Sequence, residues 1–149
     1  METKKTTRKS EVKWLGREEL SIQVQLDDQG VIQSSTVRGI GGPQFLKLIK
    51  KIRQDLVGST LANICMPQGK SREDLCVREA LLKLKGEWDF PYKEEELCHC
   101  RAVLTEVVDQ AICAGAHTPK KVSAMTSAST ACGTCRPEVE TIIKYRLQS

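Results

Sequence analysis

The first pattern along the chain is a strict alternation of aliphatic and polar residues between positions 20 and 26. A two-residue period places alternate side chains on opposite faces, which predicts a half-buried β-strand. Residues 27–30 (Asp-Asp-Gln-Gly) have the composition of a turn, and residues 31–40 can return as a second strand. The beginning of the chain therefore predicts a small antiparallel sheet.

Two longer segments repeat their apolar residues at helical spacing. The first predicted helix covers residues 44–57, after a break at Gly41, Gly42 and Pro43, and the second covers residues 72–86. Together with the strands they predict an α+β domain over residues 13–92. The predicted apolar stripes are Phe45, Leu48, Ile49, Ile52 and Leu56 in the first helix, and Val77, Ala80, Leu81 and Leu84 in the second.

The last part of the chain, residues 93–149, predicts short helices only. Thr105 is a candidate N-cap of the first helix, Thr118-Pro119 begins the second, and Pro137 opens the third. The predicted fold class is α+β: a small antiparallel sheet with packed helices, followed by a small all-α domain. The expected buried residues of the three helices are Val107, Val108, Ala111 and Ile112, then Val122 and Met125, then Val139, Ile142 and Ile143.

Composition and charge restrict the protein class only mildly. Hydrophobic residues make up 40% of the 149 positions, and basic residues near the start supply much of the net charge of +4, so residues 1–12 are predicted to be a disordered basic tail. No apolar run approaches the ~20 residues of a membrane span, and the start lacks the apolar segment of a secretory signal. We expect a cytoplasmic protein without a membrane partner, and the mild charge does not favour nucleic acid.

Two cysteine pairs carry the chemistry of the C-terminal part. Cys98 and Cys100 form a C-x-C pair, Cys132 and Cys135 form a C-x-x-C pair, and the segment between them is long enough for helices that bring the pairs together. Thiolates are soft ligands, which suit iron–sulfur clusters or zinc better than hard cations. The second pair follows a run of Ser, Thr and Ala, and such small residues let backbone N–H groups reach the sulfur atoms of a cluster.

Two other arrangements would use the same cysteines. Four thiolates also suit a structural zinc ion, although the C-x-C spacing is tighter than the two to four intervening residues usual in zinc sites. Two disulfides are the second alternative, but cysteines separated by one residue bridge poorly, and a disulfide framework belongs to oxidising compartments. An iron–sulfur cluster is therefore the first interpretation, with zinc as its alternative.

The motifs around these pairs are Cys98-His-Cys, Thr105-x-x-Val-x-x-Ala-Ile, Gly115-Ala, Thr118-Pro, Thr126 and Cys132-Gly-Thr-Cys. With these motifs, residues 95–147 resemble the BFD-like [2Fe–2S] domain, named for the bacterioferritin-associated ferredoxin. The resemblance implies one [2Fe–2S] cluster at the tip of a small helical domain. It also implies that Cys98, Cys100, Cys132 and Cys135 are the ligands.

A looser set of motifs lies in the front half: Gly30-Val-Ile, Ile40-Gly-Gly, Gly58-x-Thr-Leu and Arg78-Glu-Ala-Leu. These resemble the scaffold domain of NifU-like proteins, in which a BFD-like domain follows. The resemblance implies a degenerate scaffold, because Leu15 and Gly42 stand where that family has cysteines that hold a cluster during assembly. Cys76 alone is left, as a residual scaffold thiol or as a small packed hydrophobe like Cys65 and Cys113.

Four further residues are expected beside the cluster. Arg101 and Arg136 directly follow the cysteine pairs, and Thr134 lies within the second pair. A guanidinium group there would offset the net negative charge of the cluster and its thiolates, or attract an acidic redox partner, with solvated surface charge as the alternative. His99 is expected to be an exposed neighbour and not a ligand.

These features predict a binding protein and not an enzyme, since no catalytic arrangement of side chains stands out. The first hypothesis is an accessory in iron–sulfur cluster assembly or storage, which the NifU-like order of domains supports. The second is a one-electron carrier or redox-sensing subunit that docks on a flavoprotein or a ferritin-like store. Both require a protein partner, and the sequence leaves the oligomeric state open, a homodimer included.

Overall fold

The computed structural model describes residues 5–14, 18–130 and 133–147, and the chain divides into two compact units. The N-terminal unit consists of Met1–Gly69 and Glu73–Trp88, and the C-terminal unit of Lys70–Arg72 and Asp89–Ser149. The N-terminal unit contains a three-stranded antiparallel sheet with helices and the C-terminal unit is mainly helical, so the predicted α+β class is confirmed. Within the described ranges, no helix combines the length and the apolar character needed to cross a membrane.

The sheet of the N-terminal unit consists of β1 (Thr6–Lys13), β2 (Glu19–Leu26) and β3 (Ile32–Ile40), with β2 in the centre. The antiparallel register places Leu20 opposite Gly39 and Ile22 opposite Val37. All four aliphatic residues of β2 are buried, and the Ser and Gln residues between them are not. The alternation in the sequence therefore corresponds to the two faces of the central strand.

The first strand, β1, lies where the sequence predicts a disordered tail over residues 1–12. Only two of its side chains, Ser10 and Val12, are buried, and most of the others are charged or polar and exposed. Its hydrophobic pattern is therefore too weak to reveal a strand. Backbone pairing with β2 over the whole length from Thr6 to Lys13 forms this edge strand, and charged side chains are typical of such edges.

Two helices complete the N-terminal core. α1 (Pro43–Leu56) buries Phe45, Ile49, Ile52 and Leu56, as predicted, while Leu48 is only half-buried. A Cβ atom at Gly39 would collide with the side chain of Ile49, so this glycine allows α1 to lie close to β3. α2 (Arg72–Lys85) buries all of its predicted stripe.

The C-terminal unit combines a short hairpin with three helices. β4 (Glu96–Cys98) pairs with β5 (Val103–Leu104), and α3 (Thr105–Cys113), α4 (Pro119–Thr126) and α5 (Arg136–Leu147) follow. Val122, Val139, Ile142 and Ile143 are buried as predicted. The predicted burial of Val107 and Met125 is wrong, since their exposed fractions are 46% and 58%. Val107 and Met125 therefore lie outside the buried faces of α3 and α4.

Two threonines expected at helix starts have different roles. Thr118 is the N-cap of α4, where its Oγ1 accepts a hydrogen bond from the N–H of Lys121 at 3.2 Å. Thr105 is not the N-cap of α3, because that position is Leu104. The hydroxyl of Thr105 instead donates to the carbonyl of Glu94 at 2.6 Å, which ties the segment before β4 to the start of α3.

The residues that precede β4 are packed in the C-terminal unit, whose predicted boundary is residue 93. Phe90 and Tyr92 pack against the core of this unit. The N–H of Asp89 donates to the hydroxyl of Tyr145 at 2.8 Å, and the Phe90 ring meets the Tyr145 ring edge-on at 6.2 Å between centroids. Aromatic packing therefore extends this unit toward the N-terminus.

Candidate metal centre

The β4–β5 hairpin positions the first cysteine pair. Cys98 is the last residue of β4, pairs with Val103 and is only 2% exposed. Cys100 lies in the connecting turn and is exposed. Ala102, in the same turn, has a φ of 51°, a left-handed conformation that is uncommon outside glycine. The tight turn therefore directs one thiol of the pair into the core and leaves the other at the surface.

The start of α5 positions the second pair. Cys135 directly precedes α5, is 8% exposed and belongs to the core of the C-terminal unit. Gly133 has a φ of 70°, and its carbonyl accepts a hydrogen bond from the N–H of Arg136 at 3.2 Å. The predicted ligand Cys132 lies outside the described residues.

The side chains of Cys98 and Cys135 meet and form a hydrogen bond with each other. An open cavity of about 240 Å³ adjoins them. Three of the four predicted ligands therefore reach one cavity at the surface, although the described His, Cys, Asp and Glu side chains do not converge in groups of three or more. The cavity is lined by Tyr92, Leu97, Cys98, His99, Cys100, Thr134, Cys135 and Glu138.

The electrostatic environment of Cys135 combines opposing effects. Burial raises the pKa of the Cys135 thiol, hydrogen bonds from Ser129 lower it, and the neighbouring Cys98 raises it. The net direction is upward from the ordinary value of 9.0. The Oγ atom of Ser129 lies 2.9 Å from the Sγ atom of Cys135. A metal would therefore have to displace a proton held by burial, and Ser129 already interacts with the sulfur atom that would receive the metal.

Arg101 connects the two loops that carry the cysteines. Its Nε donates to the hydroxyl of Thr130 at 3.1 Å, and that hydroxyl donates to the carbonyl of Ser127 at 2.6 Å. The hydroxyl of Ser123 donates to the carbonyl of Ala128 at 2.6 Å. The segment before the second pair is thus held by side-chain hydrogen bonds, and Arg101 attaches the first loop to it.

The other residues expected beside the cluster are at the surface. Arg136 forms an exposed ion pair with Glu140, with 3.6 Å between Nε and Oε1. His99 is exposed, and its Nδ1 lies 2.6 Å from Oε1 of Glu96. Thr134 is exposed and lines the cavity. Arg136 therefore has a carboxylate partner on its own helix.

Sequence reasoning missed two polar residues that line this cavity. Tyr92 donates to the carbonyl of Glu96 at 3.0 Å, and burial, followed by the carboxylate of Glu94, raises the pKa of its hydroxyl. Glu138 has one buried carboxylate oxygen without a hydrogen-bond partner among the described residues. Glu138 lies three residues after Cys135, in the first turn of α5, and this spacing was the feature of the sequence that could have placed it beside the cavity.

The cysteines outside the two pairs differ from one another. Cys76 and Cys113 are 0% and 1% exposed, as expected for small packed hydrophobes. The same expectation for Cys65 is wrong: this thiol is exposed, because it follows the short 3-10 helix Leu61–Asn63 in an irregular surface segment. Gly42 is the N-cap of α1, and Leu15 lies outside the described residues. Cys76, which the sequence offered as a possible residual scaffold thiol, is therefore a buried residue of α2.

Comparison with known proteins supports the assignment of the C-terminal unit. No curated protein matches the chain. Residues 97–145 match the family model described as BFD-like [2Fe-2S] binding domain, a range that contains both cysteine pairs. The match does not extend to the N-terminal unit, for which the NifU-like resemblance remains a hypothesis. Residues 97–145 therefore match a BFD-like [2Fe-2S] binding domain, and this match supports binding of an iron–sulfur cluster by that part of the chain.

Proposed function

We propose that the protein is a one-electron carrier whose [2Fe–2S] cluster is held by Cys98, Cys100, Cys132 and Cys135. The observation that carries this proposal is the location of Cys98 and Cys135, which both belong to the hydrophobic core of the C-terminal unit. When bound, such a cluster accepts and returns one electron at a potential set by its surroundings. The soft donors and the adjoining surface cavity fit this cofactor.

Core ligands favour a resident cofactor over a transferable one. Cys98 and Cys135 are 2% and 8% exposed, so releasing the metal from these two sulfur atoms would require opening the packing around them. It would also leave two thiolates in a poorly solvated place until they regain protons. A carrier benefits from both effects, because its cofactor must remain in place through many redox cycles.

The surface side of the site favours electron exchange with a protein partner. Cys100 is exposed, and the cavity that it lines is open to solvent. His99 and Thr134 are exposed at the same cavity. A partner that docks there would approach the cofactor without any rearrangement of the core. The partner expected for a small carrier of this type is a redox protein, such as a flavoprotein or a ferritin-like store.

The second candidate function is an accessory in cluster assembly or storage, and the exposure of Cys100 favours it. An exposed ligand is the one that an incoming thiolate from an acceptor protein can replace first. The N-terminal unit does not add a second cluster site to this hypothesis. Its two cysteines are the exposed Cys65 and the fully buried Cys76, whereas a cluster requires about four ligands.

Anaerobic purification followed by a transfer assay tests both functions. We expect about two irons and two sulfides per chain, with visible absorption that bleaches with dithionite and returns on reoxidation. Incubation with an apo-ferredoxin should leave the iron on this protein. Transfer of the intact cluster at a rate comparable to redox cycling would favour the assembly accessory. A colourless protein with one tightly bound zinc would contradict both.

A further inference from the structure

We infer that Ser129 tunes the reduction potential of the [2Fe–2S] centre by donating a hydrogen bond to the sulfur of Cys135. This inference rests on the proposed function, in that Cys135 must be a ligand. Two groups of Ser129 reach the same sulfur: the hydroxyl, with 2.9 Å between Oγ and Sγ, and the backbone N–H. Since a thiolate bound to iron carries no proton, the serine hydroxyl must be the donor in the loaded protein.

The backbone conformation of Ser129 favours glycine, yet a serine occupies the position. Its φ of 62° lies in the left-handed region, where a Cβ atom is strained and where glycine is the residue of lowest energy. Such strain persists only where the surroundings impose it, and it concentrates at functional sites. Glycine would satisfy the backbone here and would even keep the N–H donor. The hydroxyl is the one hydrogen-bonding group that serine adds.

A neighbouring residue provides a natural comparison. Ser127 has a φ of 68°, which is nearly the same conformation, and it is the C-cap of α4. Its N–H donates to the carbonyl of Ser123 at 2.9 Å, and its carbonyl accepts from the hydroxyl of Thr130. Both of these contacts use the backbone of Ser127. A glycine at position 127 would therefore relieve the same strain without removing a donor to Cys135.

The direction of the effect follows from charge. Reduction adds one electron to a centre that is already negative, so the charge on the thiolate sulfur increases. A hydrogen bond to a charged acceptor strengthens with that charge and stabilises the reduced form more than the oxidised form. Hydrogen bonds to cluster sulfurs are among the determinants of reduction potential. The hydroxyl of Ser129 therefore raises the potential.

The test uses the full-length protein with its cluster, in the variants Ser129→Gly and Ser129→Ala. Optical redox titration of both variants should give a lower midpoint potential than the wild type. We expect the ratio of reduced to oxidised protein at a fixed potential to fall about tenfold, which is about 59 mV for a one-electron couple. Ser127→Gly is the matched control and should leave the potential unchanged.

Stability separates this tuning role from a structural one. Ser129→Gly relieves the backbone strain, whereas Ser129→Ala retains the strain and loses the hydrogen bond. The glycine variant should therefore unfold at a higher denaturant concentration than the alanine variant, although both have the lower potential. A purely structural role for Ser129 predicts instead that potential and stability change together.

Three results would overturn the inference. Unchanged potentials in both loaded Ser129 variants would reject it and would leave the proposed electron carrier intact. Failure of both variants to hold a cluster that Ser127→Gly still holds would make Ser129 a structural requirement, not a tuning residue. Absence of a cluster from the wild-type protein would reject the proposed function, and the inference with it.

Discussion

Cys76 in the N-terminal unit and Cys135 in the C-terminal unit are both buried, yet their surroundings differ. Cys76 lies on α2 in a run of buried residues from Leu75 to Leu81 and is 0% exposed. Cys135 meets a second thiol, a serine hydroxyl and an open cavity. Burial of a cysteine therefore does not distinguish packing from ligation. What distinguishes a candidate ligand from a packed cysteine is the presence of further soft donors at an accessible edge.

The two units also differ in how their cores are built. The N-terminal unit packs large hydrophobic side chains from a three-stranded sheet and two helices, among them Leu20, Ile22, Phe45 and Leu81. The core of the C-terminal unit includes Cys98 and Cys135 themselves and several alanines. If Cys98 and Cys135 are ligands, as proposed, this small unit gains part of its folding free energy from the metal. We expect only the C-terminal unit to depend on its cofactor.

The largest expected effect is loss of the cluster from ligand variants. Cys98→Ala or Cys135→Ala should abolish iron binding, because the remaining thiols cannot complete the ligand set, and should destabilise the C-terminal unit. Cys113→Ala is the matched control: this cysteine is equally buried, on α3 of the same unit, but does not line the cavity. Iron analysis and visible spectra of the purified variants measure the difference. Loss of iron from folded Cys113→Ala protein would contradict the assigned ligands.

The second prediction concerns the N-terminal unit in isolation. A fragment of residues 1–88, which ends where the N-terminal unit ends, should fold without metal, because its core is built from hydrophobic side chains. It should remain free of iron when offered ferrous iron, sulfide and a cysteine desulfurase, because it contains only Cys65 and Cys76. Circular dichroism and bound-iron analysis provide the two measurements. Stoichiometric cluster assembly on the fragment would make this unit a scaffold in its own right.

The third prediction tests a polar element of the C-terminal core. The side chain of Arg146 is 3% exposed, and its guanidinium binds Asp109 through two hydrogen bonds of 2.7 and 2.6 Å. Arg146→Met leaves the carboxylate buried without its partner and should destabilise this unit by about 3–5 kcal/mol. Lys93→Met removes an exposed pair with Asp89 and should change stability by less than about 1 kcal/mol. Denaturant unfolding of both variants gives the comparison, and equal effects would contradict it.

The smallest expected effect is in the turn between β2 and β3. Asp27 accepts hydrogen bonds from the N–H groups of Gln29 and Val31 at 2.9 Å and from the side chain of Gln33 at 2.8 Å. The bond from Val31 is the largest of the causes that lower the pKa of this carboxyl below 3.8. The ionised form is therefore favoured by folding.

The pH dependence of Asp27→Ala follows from that direction. The wild-type advantage in stability should be present above pH 3.8 and should fade as the pH falls through the lower pKa of the folded state. Unfolding of wild type, Asp27→Ala and the neighbouring control Asp28→Ala across acidic pH measures this. An advantage of the wild type that grows with acidity would have the wrong sign. Iron binding in the C-terminal unit should be unaffected by either variant.

The strongest patterns in the sequence predicted the corresponding structure well. The alternation from Leu20 to Leu26 corresponds to the central strand β2. The apolar stripe predicted for the first helix corresponds to the buried face of α1. The fold class followed from such patterns, whereas the [2Fe-2S] binding domain was inferred from the resemblance of the two cysteine pairs and the motifs between them to a known family. Hydrophobic periodicity and the spacing within each cysteine pair are properties of short segments. They can be recognised in the sequence without knowing which other segments pack against these residues.

Other features were decided by tertiary contacts. Strand β1 exists because β2 offers it backbone partners, and Val107 is exposed because no other element covers that face of α3 within the described structure. Tertiary contacts also decided that the hydroxyl of Ser129 lies beside the sulfur of Cys135, which is six residues away in the sequence. The sequence determined which side chains can ligate metal and where the strongly patterned elements, such as β2 and α1, form. Only the folded backbone, with left-handed conformations at Ser127 and Ser129, decided that the Ser129 hydroxyl reaches the sulfur of Cys135, because that contact depends on the direction of the chain as well as on residue type.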